Sequence, residues 1–74
     1  MNTTRYFDDQ MLRKRTYIKK EWCEHALSNP AARQVQPDGR IRHWDYGSEI
    51  GKYLRVVTLE DGPTVHNAFP DRNF

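Results

Sequence analysis

Three residues in the second half of this 74-residue chain have the side chains that phosphodiester chemistry requires: His43, Arg55 and His66. RNA cleavage without a metal needs a base for the ribose 2′-hydroxyl, a cation at the crowded phosphate and an acid for the leaving oxygen. Histidine suits both proton transfers because its ordinary pKa, about 6.5, is close to working pH. Arginine suits the phosphate because its planar fork donates two parallel hydrogen bonds. Arg40, Arg42 and Arg72 add positive charge nearby, and Tyr46 and Tyr53 offer rings on which unpaired bases stack. The competing expectation is plainer. Both histidines are then half-exposed strand residues, Arg55 pairs with Asp45 or a helix carboxylate, and the tyrosines pack at a sheet edge.

Two Asp-Gly turns must position these groups: Pro37-Asp38-Gly39-Arg40 and Glu60-Asp61-Gly62-Pro63. Asp-Gly between strand-like runs is a strong hairpin signal, because tight primed turns need positive φ at their centre. With Asp61 and Gly62 central, Glu60 pairs with Pro63, Val57 lies opposite His66, and Arg55 pairs with Ala68. That register puts Arg55 one diagonal step from His66. It collects Leu54, Val56, Thr58, Val65 and Phe69 on the other face. The connection at residues 47–51 leaves two pairings open, Trp44 opposite Leu54 or Trp44 opposite Arg55. A two-residue Asp38-Gly39 turn would pair Val35 with Arg42 and make a core of Val35, Trp44 and Leu54, which favours the first. A one-residue slip would reverse every assignment on that strand.

Ahead of the strands, Asp8 and Asp9 open a short helix ending in Arg13-Lys14-Arg15, with acids first and bases last as the helix dipole prefers. Phe7, Met11 and Leu12 are its apolar stripe, and residues 1–5 are expected to be loose. Thr16 is placed to cap a second helix over residues 17–27. Ile18, Trp22, Cys23, Ala26 and Leu27 share one face of it, and Ser28-Asn29-Pro30 stops it. Strands are expected at 32–36, 40–46, 53–60 and 64–69. The sequence thus predicts one α+β domain, two N-terminal helices on a four-stranded antiparallel sheet. Trp22, Trp44, Leu54, Val56 and Phe69 are its expected core.

A chain this short buries a modest core, so a partner or an oligomer is expected. There is no 18-residue apolar run to cross a membrane, and residues 1–5 lack the apolar segment of a signal peptide. A single cysteine, Cys23, excludes an internal disulfide and a cysteine-rich metal site. These features point to a soluble cytoplasmic protein with no metal and no cofactor. The net charge is only +2, but Arg13, Lys14, Arg15, Lys19 and Lys20 crowd one stretch. That distribution suits an anionic partner such as RNA or an acidic protein. His25 reads as a surface histidine, and Asp71-Arg72 as a local ion pair or a partner contact.

The runs Asp38-Gly39-Arg40-Ile41-Arg42-His43-Trp44-Asp45-Tyr46, Gly51-Lys52-Tyr53-Leu54-Arg55-Val56-Val57 and Thr64-Val65-His66-Asn67-Ala68-Phe69-Pro70-Asp71-Arg72 together resemble a family of small bacterial proteins related to the BrnT-like toxins. That group resembles the wider RelE and ParE toxin fold, in which N-terminal helices pack on an antiparallel sheet. The resemblance implies a toxin of a type II toxin–antitoxin pair, held by a cognate antitoxin as a hetero-oligomer, or a homo-oligomer. RelE-like members cut messenger RNA with basic strand residues and a late tyrosine or histidine. Arg55 and His66 match that pattern, with His43 beside them and Arg72 as a looser match. The leading expectation is therefore a metal-independent endoribonuclease. ParE-like members attack a protein target instead, so the alternative is a non-catalytic binding toxin or regulatory module. Fold alone does not decide between them.

Overall fold

The computed structural model describes residues 1–74. Two helices, α1 (Arg5–Arg13) and α2 (Lys20–Ser28), precede four strands, β1 (Ala32–Val35), β2 (Ile41–Gly47), β3 (Lys52–Thr58) and β4 (Val65–Asp71). The strands form one antiparallel sheet in the order β1-β2-β3-β4. Both helices lie on one face of it. The α+β architecture is as the sequence predicts.

Helix α1 starts earlier than Asp8. Thr4 is its N-cap, and its hydroxyl accepts from the Phe7 N–H at 3.1 Å. That cap satisfies one of the donors every helix start leaves orphaned. Residues 2–4 are not loose. Thr4 N donates to Val65 O and Val65 N to Asn2 O, at 3.0 and 2.8 Å, so this segment straps the outer edge of β4. Helix α2 starts at Lys20 rather than Tyr17 and has no side-chain cap. Its apolar face is as predicted from Trp22 on, with Cys23 and Ala26 buried and Trp22 and Leu27 partly so, while Ile18 is buried from the connection ahead of the helix. Phe7, Leu54, Val56, Val65 and Ala68 complete the core between helices and sheet.

The strand registers differ from expectation, for a different reason at each pairing: Pro37 in the first turn, the 48–51 connection between β2 and β3, and a bulge in β4 after a second turn that keeps its expected register. A two-residue Asp-Gly hairpin requires an N–H from the residue on each side of it. Pro37 and Pro63 occupy one flank of each turn and have none. The first turn therefore closes one residue further out, with Gln36 N donating to Arg40 O at 2.7 Å around a three-residue loop. The second closes with Leu59 N donating to Thr64 O at 2.9 Å around four residues, with Asp61 also holding Thr64. The only positive φ values near these turns belong to Gly39 (90°) and Gly62 (100°), so the primed turn with two such residues is absent.

Consequently Val35 pairs with Ile41, not Arg42, and is 58% exposed. Between β2 and β3, the 48–51 turn, with Gly51 at φ 64°, sets Gly47 opposite Lys52, so Trp44 pairs with Arg55, the less favoured of the two registers, and His43 with Val56. Arg55 pairs with Phe69 rather than Ala68, and Val57 with Asn67 rather than His66. A bulge between Val57 and Thr58 leaves His66 as the extra residue of β4. The helix-side face thus carries His43, Asp45, Leu54, Val56, Thr58, Val65 and Ala68. The helix-free face carries Arg42, Trp44, Tyr46, Tyr53, Arg55, Val57, Asn67, Phe69 and Asp71. Phe69 and Trp44 leave the expected core for that second face.

Candidate nucleic-acid interface

The three residues expected to share a catalytic face do not share one. His43 lies under the helices, 5% exposed, with its Nε2 3.1 Å from Thr58 Oγ1 and its Nδ1 buried without a partner. Burial, and then the charge of Arg33 opposite it, lower its pKa. It is a neutral core histidine. His66 sits at the β4 edge, its ring stacked on Tyr6 of α1 at 4.9 Å and its Nδ1 3.0 Å from Thr4 Oγ1. Partial burial and the Arg40 guanidinium lower its pKa as well.

Neutral histidines make a definite pH dependence. Unfolded, each takes up a proton below about pH 6.5. Folded, each resists until a lower pH, so the unfolded chain binds more protons in between. Stability from this source is complete above about pH 6.5 and is lost as pH falls through the folded pKa values. Thermal melts should show Tm dropping between pH 7 and pH 5, and His43→Gln should flatten that slope. A slope unchanged in this variant would remove His43 as its source.

Arg55 does lie on the helix-free face, but it is not free. Its Nε and Nη2 donate to Asp71 Oδ2 at 3.0 and 2.7 Å, and Trp44 Nε1 donates to the same oxygen at 2.8 Å. The Asn73 N–H donates to Asp71 Oδ1 at 3.0 Å. The Trp44 hydrogen bond, with those from Arg55 and Asn73, outweighs burial and brings the Asp71 pKa down to about 2. Asp71 is therefore bonded across the sheet to β2 and β3, not to Arg72, and Arg55 has its ion pair as the plainer expectation held, with a different acid. Around this pair the side chains stack. The Arg55 guanidinium lies 5.1 Å from the Phe69 ring centre and 5.6 Å from that of Trp44. Arg15 covers Phe69 at 5.6 Å while bonding Asn67, and Phe74 stacks on Trp44 at 4.7 Å.

One end of this face opens into an aromatic cleft. Tyr46 and Tyr53 meet edge to face at 5.3 Å, and Phe74 tilts over Tyr53 at 4.8 Å. Tyr46 is 54% and Phe74 52% exposed, so their rings are available to a ligand. Lys52 and Arg72, both exposed, join these rings in lining the cleft. At the opposite end Arg42 donates to Gln34 at 3.3 Å while its Nε is buried without a partner. Arg40 beyond it is exposed, 4.0 Å from Asp38. At that far end Arg42 meets only a neutral amide but Arg40 sits among Asp38, Glu60 and Asp61. Rings and unpaired cations therefore come together at the cleft of Lys52 and Arg72. That arrangement suits a single strand, whose bases stack while its phosphates meet arginine and lysine.

Of the residues expected to meet RNA, Tyr46, Tyr53 and Arg72 come together at the cleft, and Arg40 and Arg42 lie at the far end of the face. Sequence reasoning missed Phe74 and Lys52 at this cleft, Arg15 over Phe69, and Arg55 and Trp44 as the partners of Asp71. It also missed that His25 Nδ1 lies 2.6 Å from Asp45 Oδ2 in a groove between α2 and the β2–β3 connection. That groove also holds Glu21 and Glu49, and their charge disfavours an anion there. No helix is long and apolar enough to cross a membrane, and no three His, Cys, Asp or Glu side chains cluster as a metal site. No family profile, no curated protein and no solved structure matches the chain.

Proposed function

We propose that this chain binds single-stranded RNA on the helix-free face of its sheet, as a toxin-type protein restrained by a cognate antitoxin. The observation that carries the reading is the cleft of Tyr46, Tyr53 and Phe74 with Lys52 and Arg72 at its rim. The resemblance to BrnT-like proteins supports the toxin part. Titration with a labelled oligouridylate at low salt tests it. Tyr46→Ala should weaken binding roughly 5- to 150-fold, the effect of losing one stacked base. Lys52→Ala and Arg72→Ala should each lower the salt slope by about 0.7, one phosphate contact on a single strand. Equal binding by wild type and Tyr46→Ala would end this reading.

Cleavage of the bound strand is a second reading, favoured by His66. Its lowered pKa keeps the imidazole neutral near pH 7, as a general base must be, and Arg40 supplies a cation in its vicinity. Arg55 cannot share the task while Asp71 holds it, and His43 is out of reach beneath the helices. On a gel, wild type should then cut the oligonucleotide in the presence of a chelator. His66→Ala should bind it undiminished and leave it whole. RNA left intact by the wild type removes cleavage and keeps binding.

A further inference from the structure

The sheet has two edges. Residues 2–4 hydrogen-bond Val65 at the start of β4, and the rest of that strand carries the His66 bulge and Pro70, whereas nothing pairs with the outer side of β1. Because Gln36 N–H bonds Arg40 C=O, the alternate residues Gln34 and Ala32 also face β2. The N–H and C=O groups of Arg33 and Val35 therefore point outward. Both residues are exposed, and β1 carries no proline and no bulge of the kind that blunts an open edge.

We propose that β1 pairs antiparallel with β1 of a second copy of this chain, centred on Gln34, to form one continuous eight-stranded sheet. Its own residues select that partner and register. Pairing about Gln34 sets Arg33 against Val35 of the other copy, and the reverse, with about four backbone hydrogen bonds exchanged. No like charges then lie directly opposite, and Val35 gains cover. The neighbouring register, centred on Val35, would set Arg33 against Pro37, which has no N–H to give. The contact is isologous, the same strand supplying both halves. Its two-fold axis stands perpendicular to the sheet, so the two helix-free faces lie on the same side and join.

Gln34→Cys tests the register directly. At the axis the two Gln34 residues form a non-hydrogen-bonded pair with Cα atoms about 4.5 Å apart, within disulfide range. Cys23 does not compete, since it is buried and its thiol is pushed up to about 12. Mild oxidation should give a covalent dimer that reductant reverses, and sedimentation of the wild type should show a dimer that dissociates on dilution. Val35→Pro removes an outward N–H from each copy and should weaken association roughly 5- to 150-fold. Val35→Lys keeps the N–H but opposes Arg33 with a like charge. It should weaken the dimer more at low salt than at high salt, with circular dichroism unchanged. A wild type that stays monomeric at its solubility limit overturns the proposal. So does a Gln34→Cys cross-link that neither Val35 variant diminishes.

Discussion

Replacing Arg55 by alanine should destabilise the protein by up to about 3–5 kcal/mol. The change takes the only cation from an Asp71 carboxylate in a site 7% exposed and leaves it the Trp44 and Asn73 hydrogen bonds alone. An arginine on a helix-free face would be expected to carry little folding energy, and on the catalytic expectation Arg55→Ala leaves the fold intact. The contacts of Arg55 predict the opposite. The Arg55 side chain is only 24% exposed, both its donors meet one carboxylate oxygen, and its stem and guanidinium fill the space between Trp44 and Phe69. A 74-residue domain has roughly 4–11 kcal/mol to lose. Urea denaturation should therefore show a midpoint reduced by a large fraction. Arg55→Lys should recover little, since an ammonium cannot reproduce the two-pronged contact. Arg55→Met with Asp71→Leu should recover more than either single change, because a buried pair replaced by apolar groups leaves no charge uncompensated. An unchanged midpoint for Arg55→Ala would show that the pair contributes nothing. The same pair sets the acid limit: with Asp71 at about 2 when folded and near 3.9 unfolded, on the order of 2 kcal/mol disappears as pH falls through that interval.

The element order was legible because periodicity and turn chemistry agree on it. The apolar spacing from Trp22 to Leu27 marks the helix, with Ile18 buried just ahead of it, and the Asp-Gly turns mark the hairpins. Register was the point of failure, and for three separate reasons. Pro37 removes the donor that a two-residue turn requires and moves β1 along β2; the 48–51 connection sets β2 on β3; and the bulge at His66 moves β4 along β3 beyond Thr58. One position of slip separates a face with Arg55 beside His66 from a face with Arg55 between Trp44 and Phe69. Pro37 was visible in the sequence, and its missing N–H was the available signal, whereas nothing local marked the bulge. The tyrosines meet only in the observed register, which pairs Tyr46 with Tyr53, whereas the favoured one would set Tyr46 opposite Lys52. Asp71 was not legible, because its partners lie 16 and 27 residues away and meet it only once register is fixed.

Phe7→Ala tests the part of the fold whose start the sequence misplaced. Phe7 is 1% exposed in the core, and its own N–H is held by the Thr4 cap. Losing a fully buried phenylalanine costs about 3–5 kcal/mol, partly as transfer and partly as cavity. In a domain of this size each 1 kcal/mol moves Tm by roughly 4–8 °C, so a fall of more than about 10 °C is expected. The damage should also be uneven. Helix α1 packs on β4, and Thr4 and Tyr6, on either side of the helix start, are what hold His66. Amide exchange should therefore accelerate first at Val65 and along α1, while β2 keeps its protection longest. The two lesions then separate the two faces of one sheet. Phe7→Ala releases the strap, the cap and His66 while Trp44 keeps its hydrogen bond to Asp71. Arg55→Ala loosens Trp44 and the aromatic cleft while α1 stays seated. Uniform loss of protection in both variants would mean that the faces melt as one unit, and that His66 and the aromatic cleft have no independent mechanical support.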